Sequence, residues 1–100
     1  MNALLLLVTY TAKPGMRDVF LQEVLASGIL DKIRAEKGCL RYAYYKSAEN
    51  PDEILLTEQW AAPEHQPAHM QQPHMKQLLE IKNRLIQSTS LERMTTEGDD

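Results

Sequence analysis

Residues 57–74 read TEQWAAPEHQPAHMQQPH and carry the chain from a predicted strand into two predicted helices. They include its only tryptophan, Trp60, and all three of its histidines, His65, His69 and His74. Imidazoles are the side chains that exchange protons most readily near neutral pH. The passage is therefore predicted to carry the functional site, with the rest of the chain as its scaffold.

The chain has 100 residues, of which 43% are hydrophobic and 25% charged, as is typical of a single globular domain. Its net charge is −3, and three of the acids, Glu97, Asp99 and Asp100, stand in the last four residues. Residues 1–96 are predicted to form the domain and residues 97–100 a disordered acidic tail. The body is close to neutral and lacks the basic surface that nucleic acid requires, so no nucleic-acid partner is predicted.

Cys39 is the only cysteine, which excludes an internal disulfide and favours a reducing compartment. The apolar run at residues 4–8 is too short to cross a membrane and has no features of a signal peptide. We therefore expect a cytoplasmic protein with no membrane partner.

Apolar periodicity and turn residues divide the chain into strands and helices. In chain order the predicted elements are a strand at 3–11, a helix from 16 that breaks near Gly28 and ends before Gly38, two hairpin strands at 39–47 and 53–60, a short helix within 63–72, a helix that starts at Pro73, and a strand at 88–95. On the last helix, the residues predicted to form the inward stripe are Met75, Leu78, Leu79, Lys82, Leu85 and Ile86.

This β-α-β-β-α-β order predicts an α+β fold, a ferredoxin-like four-stranded antiparallel sheet with helices on one face. The first strand is apolar on both faces, so we expect it to be central. The face without helices would then expose more apolar and aromatic side chains than a monomer leaves in water. A homodimer that buries sheet against sheet is therefore predicted.

Several short motifs occur along the chain in a characteristic order: Lys13-Pro14-Gly15, Gly38-Cys39-Leu40-Arg41-Tyr42, Glu58-Gln59-Trp60, Ala68-His69-Met70 and Pro73-His74. Together they resemble the antibiotic biosynthesis monooxygenase domain, over residues 4–94. The resemblance implies a dimeric α+β barrel. It leaves the reaction open, because the family includes cofactor-independent monooxygenases of quinols and polycyclic aromatics, haem-degrading enzymes and an isomerase of a phosphorylated sugar.

The chain departs from the pattern of two of these groups. Members that oxidise polyketides have an asparagine four residues before the strand tryptophan, where this chain has Leu56. Haem-degrading members have an asparagine on the first strand, where this chain has Val8, and a histidine in the last helix near Leu79. Haem degradation is therefore disfavoured.

His69 and His74 match the pattern of the family and are the candidate catalytic bases; helix capping or packing is the alternative for both. The dipole at the start of a helix favours a neutral imidazole at His74, and a neutral imidazole can accept a proton. His65 and His69 have a spacing that suits a metal, but a third ligand would have to come from His74 or Glu64. No metal site is predicted, and His65 is expected to be exposed to solvent.

Trp60 is interpreted either as a core aromatic or as a flat wall for an aromatic substrate. Glu58 shares its face and needs a partner if it points inward. Tyr42 and Tyr44 share one face of their strand, with Tyr45 on the other, and are candidate substrate contacts. Arg41 is a candidate for balancing an anionic substrate, although a cross-strand ion pair is its commoner use.

The leading hypothesis, which rests on the resemblance, is a cofactor-independent monooxygenase. It would oxidise a small electron-rich aromatic, a quinol-like compound, with O₂. A second hypothesis is an isomerase of a phosphorylated or keto compound, with Arg41, Lys46 or Arg93 as the anion anchor. A third is a dimeric ligand-binding module without catalysis.

Overall fold

The computed structural model describes residues 2–97. In chain order its elements are β1 (Asn2–Ala12), α1 (Arg17–Ser27), α2 (Ile29–Arg34), β2 (Cys39–Lys46), β3 (Glu53–Trp60), α3 (His65–Met70), α4 (His74–Leu85) and β4 (Ile86–Glu97). The predicted acidic tail lies outside the described residues, apart from Glu97, the last residue of β4.

The four strands form one antiparallel sheet in the order β2-β3-β1-β4, which confirms the predicted ferredoxin-like fold. β1 is central, as its two apolar faces indicated. Its even-numbered residues from Leu4 to Tyr10 are buried beneath the helices, and the odd-numbered ones are half-buried on the opposite face.

The boundaries of the helices agree with the positions of glycine and proline in the sequence. Gly28 adopts a left-handed conformation with φ 79°, so the predicted break separates two helices, α1 and α2. α3 begins at His65, which puts Pro67 in its first turn, where no backbone donor is needed. None of the helices in residues 2–97 is both long and apolar enough to cross a membrane.

The predicted inward stripe of α4 was partly wrong. Its buried residues are Leu78, Ile81 and Leu85, whereas Leu79 is 55% exposed and Ile86 belongs to β4. Residues 78, 81 and 85 follow the three-and-four spacing of one helix face, and Leu79 stands one step, about 100°, away from that face. β4 begins directly after α4 and is longer than the predicted strand at both ends.

Gly38 makes the connection between α2 and β2 possible. It has φ +82°, and its carbonyl accepts a hydrogen bond of 2.7 Å from the backbone of Ala61. A Cβ placed on Gly38 would lie 2.3 Å from Cδ2 of His65. His65 is therefore half-buried against this turn, and the expectation that it is exposed was wrong.

We expect Gly38→Ala to destabilise the fold more than Gly15→Ala. Both glycines have positive φ, so alanine at either position costs about 1 kcal/mol in backbone strain. Gly15 has open space around it, whereas the methyl group at Gly38 meets His65 and adds about 1–3 kcal/mol of overpacking. Urea unfolding measures the difference, and His65→Ala in the Gly38→Ala background should recover part of it. Equal losses for the two glycine variants would contradict the close contact.

Candidate active site

One carboxylate, that of Glu36, contacts two of the three histidines. Its oxygens lie 2.9 and 3.0 Å from Nδ1 of His69, and Oε2 lies 2.6 Å from Nε2 of His74. The side chains of Glu36 and His69 are only 7% and 2% exposed. The structure therefore brings both predicted bases together around a residue that the sequence analysis did not single out.

Two turns of the backbone produce this cluster. Glu36 follows α2 in a tight turn, in which its N–H bonds to the carbonyl of Ile33 and its carbonyl accepts from Cys39. His69 lies near the end of α3, and His74 is the first residue of α4. The corner between α3 and α4 directs both imidazoles to the same carboxylate.

The hydrogen bonds assign the ring nitrogens. Nδ1 of His69 and Nε2 of His74 face the carboxylate of Glu36 and are the donors, since an ionised carboxylate only accepts. In the neutral ring of His69 the acceptor is then Nε2. A carboxylate that orients an imidazole in this way is the arrangement of a general base and its positioning group.

Aromatic side chains surround the imidazole of His69. The ring of Trp60 lies 4.9 Å from it and that of Tyr42 5.7 Å, measured between centroids. Trp60 is completely buried and donates its indole N–H to Glu58 across 3.2 Å. Trp60 is thus a core aromatic that also forms a wall beside the candidate base.

The same sheet face carries further buried polar groups. Burial raises the pKa of Glu58, partly offset by the hydrogen bond from Trp60. Burial also raises the pKa of the Tyr42 and Tyr44 hydroxyls, whose rings pack edge to face at 5.9 Å. These tyrosines stay neutral phenols that can donate hydrogen bonds.

A β-bulge keeps Arg41 out of this cluster. The β2–β3 register shifts between Cys39 and Arg41, which leaves Leu40 as the extra residue. Tyr42 consequently faces the helices, and Arg41 points to the other side, where its guanidinium donates to the hydroxyl of Tyr45 at 3.2 Å. Lys46 is exposed and pairs with Asp18 at 2.8 Å.

Three grooves lie near the predicted site residues. One of about 720 Å³ runs between α1, α2 and β2 and touches Tyr44. One of about 340 Å³ follows β2 past Arg41 and Tyr42, and one of about 240 Å³ lies between α3 and α4. Trp60, Glu58 and His69 belong to the packed core rather than to the walls of these grooves.

Sequence reasoning missed Glu36 because it lies in the charged segment Ala35-Glu36-Lys37, which is typical of a solvated turn. Its distance of 33 and 38 residues from the two histidines left no local signal. Within residues 2–97, no group of three or more His, Cys, Asp and Glu side chains is arranged to hold a metal ion.

Glu58→Gln should change how stability depends on pH. Because its folded-state pKa is raised, Glu58 stabilises the fold most below its ordinary pKa of 4.5, and that contribution is lost as the pH rises through the folded-state pKa. Glutamine is neutral and still accepts from Trp60. The free energy of unfolding of the variant should therefore rise relative to that of the wild type as the pH is raised from 4.5 through the folded-state pKa of Glu58.

Urea unfolding across this pH range tests the expectation. Glu49→Gln, at an exposed position in the β2–β3 turn, serves as the control. A difference between Glu58→Gln and the wild type that stays constant with pH would show that the carboxylate is not penalised by burial.

Comparisons with known proteins agree with this fold. The family model for antibiotic biosynthesis monooxygenase matches residues 3–80. The sequence matches no curated protein. Solved structures that share the fold include PA3566 from Pseudomonas aeruginosa, with 23% identity, a TM-score of 0.84 and coverage of 98% of this chain and 97% of that chain. A candidate antibiotic biosynthesis monooxygenase from Chloroflexus aurantiacus has 25% identity, a TM-score of 0.79 and coverage of 98% and 96%. NE2512, a protein of unknown function from Nitrosomonas europaea, has 25% identity, a TM-score of 0.77 and coverage of 100% and 94%. Because the family model covers most of its length, the chain belongs to the antibiotic biosynthesis monooxygenase family.

Proposed function

We propose that this protein is a cofactor-independent monooxygenase that oxidises a small quinol-like aromatic with O₂, and that His69 is its general base. The observation that carries the proposal is the buried Glu36–His69 pair against the face of Trp60. Membership of the family supplies the reaction type, and the pair supplies the group that can start it.

The first step is removal of a phenolic proton. Glu36 holds Nδ1–H of His69, so Nε2 is the nitrogen that accepts the proton from the substrate. The carboxylate then stabilises the imidazolium that forms. His74 donates to the same carboxylate and fixes its orientation, which makes it a positioning residue.

The quinolate is the reductant. One oxygen atom of O₂ enters the ring and the other leaves as water, while the quinol supplies the electrons for both and becomes a hydroxyquinone. Trp60 and Tyr42 offer flat apolar surfaces for the ring, and their burial keeps water from the anion. Because His69 is covered, α3, the six-residue helix that carries it, must open to admit the substrate and close again so that Glu36 holds His69 during proton transfer.

The proposed active unit is a homodimer that buries the helix-free face of the sheet. Leu5, Leu7 and Leu55 lie half-exposed at the centre of this face. The hydroxyl of Thr57 is buried among them without a hydrogen-bond partner in the described part of the chain. A second copy would cover these leucines and remove their apolar surface from water.

Oxygen uptake with a panel of benzoquinols and naphthoquinols tests the reaction. We expect His69→Gln to lower kcat by about a hundredfold or more, since a positioned general base contributes that much. Glu36→Gln should also lower kcat and shift its pH profile, because both imidazoles lose their anionic acceptor. His65→Gln is the matched control, since His65 packs on Gly38 outside the Glu36 cluster.

Folded His69→Gln with full turnover would overturn the assignment of the base. A wild-type protein that binds the quinols but consumes no O₂ would leave only the ligand-binding role. Circular dichroism of each variant separates a loss of fold from a loss of chemistry.

Size-exclusion chromatography with light scattering tests the dimer. The wild type should elute as a dimer, and Leu55→Arg as a monomer, because a charge in the centre of the buried face has no partner. Leu25→Arg alters a leucine that is 66% exposed on α1 and should remain dimeric. A wild type that is monomeric at micromolar concentration would contradict the proposed interface.

A further inference from the structure

The cleft between the end of α3 and one side of α4 has the character of a binding site. Its volume is about 240 Å³, and its apolar walls come from Met70, Met75, Leu78 and Leu79. Met70 and Leu79 are 56% and 55% exposed, which is unusual for large apolar side chains that share one concave surface. The cleft is smaller than the pockets of about 300–1,000 Å³ that hold drug-sized ligands, so it suits a compound of one or two rings.

The charge of the cleft has one sign. Lys76 and Lys82 line it, together with two glutamine amides, and no acidic side chain does. Lys82 is half-buried, with Nζ 4.9 Å above the ring of Tyr10. Within residues 2–97 it forms no ion pair closer than 4 Å.

Glu58 is the acid that faces Lys82 from the sheet. Burial raises the pKa of Glu58 and lowers that of Lys82, so neither charge is well compensated by the other. A half-buried ammonium group without a close anion is costly, and a ligand anion would reduce this cost.

The larger groove beside β2 differs in this respect. Its lysine, Lys46, is paired with Asp18 at 2.8 Å, and Nε of Arg34 donates to the carbonyl of Tyr42 at 3.0 Å. Its charged groups are therefore already engaged, whereas the ammonium of Lys82 has no anionic partner within 4 Å in residues 2–97.

We propose that the α3–α4 cleft binds a small aromatic carboxylate, with its ring between Met70 and Leu79 and its charge on Lys82. This binding depends neither on O₂ nor on His69. Experiments can therefore contradict the binding proposal without contradicting the proposed oxidation, and the reverse.

Titration with 2-naphthoate, followed by NMR of ¹³C-labelled methionine methyl groups, tests the site directly. The methyl signals of Met70 and Met75 should shift, while those of Met16 and Met94, which do not line the cleft, should not. The neutral analogue 2-naphthamide should bind about tenfold more weakly, as expected when a charge-assisted hydrogen bond is lost.

Variants separate the charge from the apolar walls. Lys82→Gln should weaken 2-naphthoate about tenfold and leave 2-naphthamide unchanged. Leu79→Gln, at an exposed position, should weaken both compounds, and Lys32→Gln on α2 should weaken neither. The proposal would be overturned if the wild type bound both compounds equally, or if Lys82→Gln kept full affinity for 2-naphthoate. It would also be overturned by shifts confined to Met16 or Met94, or by no binding at millimolar concentration.

Discussion

The hydrogen bonds from two imidazoles to the carboxylate of Glu36 hold together parts of the chain that are far apart in sequence. A buried carboxylate is costly unless donors surround it, and the rings of His69 and His74 are those donors. α3 has six residues and would not form a stable helix by itself. The shared carboxylate therefore does more than orient the candidate base: it fixes α3 over the end of the sheet, next to the aromatic rings around His69.

The polar groups of the site lie inside the hydrophobic core. Trp60 is both the largest fully buried side chain and the donor to Glu58. Stability and chemistry consequently depend on the same packing. Such a site is dry and well ordered while closed, which suits the proposed reaction through an aromatic anion, and the proposal requires it to open for the substrate. The weakest cover is α3, because its attachment depends on polar contacts more than on buried apolar area.

The sequence was sufficient for the sheet and insufficient for the site. The alternation of buried and half-buried residues in β1, and the turn before β3, define the strands and the face that each one buries. Gly28 separates α1 from α2, and Pro73 precedes α4. The contact between Glu36 and His69 has no local signature in the sequence. A glutamate in a charged turn has the same sequence context whether its carboxylate is solvated or bonded to a distant imidazole. The exposure predicted for His65 was wrong for a related reason, since its ring packs against Gly38, which is distant in sequence.

One irregularity of β2 decides which side chains can take part. With an unbroken register, Arg41 would pair with Glu58 and point into the core, and Tyr42 would point to the helix-free face. The bulge at Leu40 reverses this, so the interior receives neutral phenols in place of a guanidinium. Without Arg41, the raised pKa of Glu58 has no nearby arginine to lower it, and Lys82 on α4 becomes the cation that faces this acid. The bulge is thus one determinant of the charges in the interior, beside burial, which raises the pKa of Glu58 and lowers that of Lys82. The bulge thereby leaves the guanidinium of Arg41 on the helix-free face, the same face as the leucines of the proposed interface.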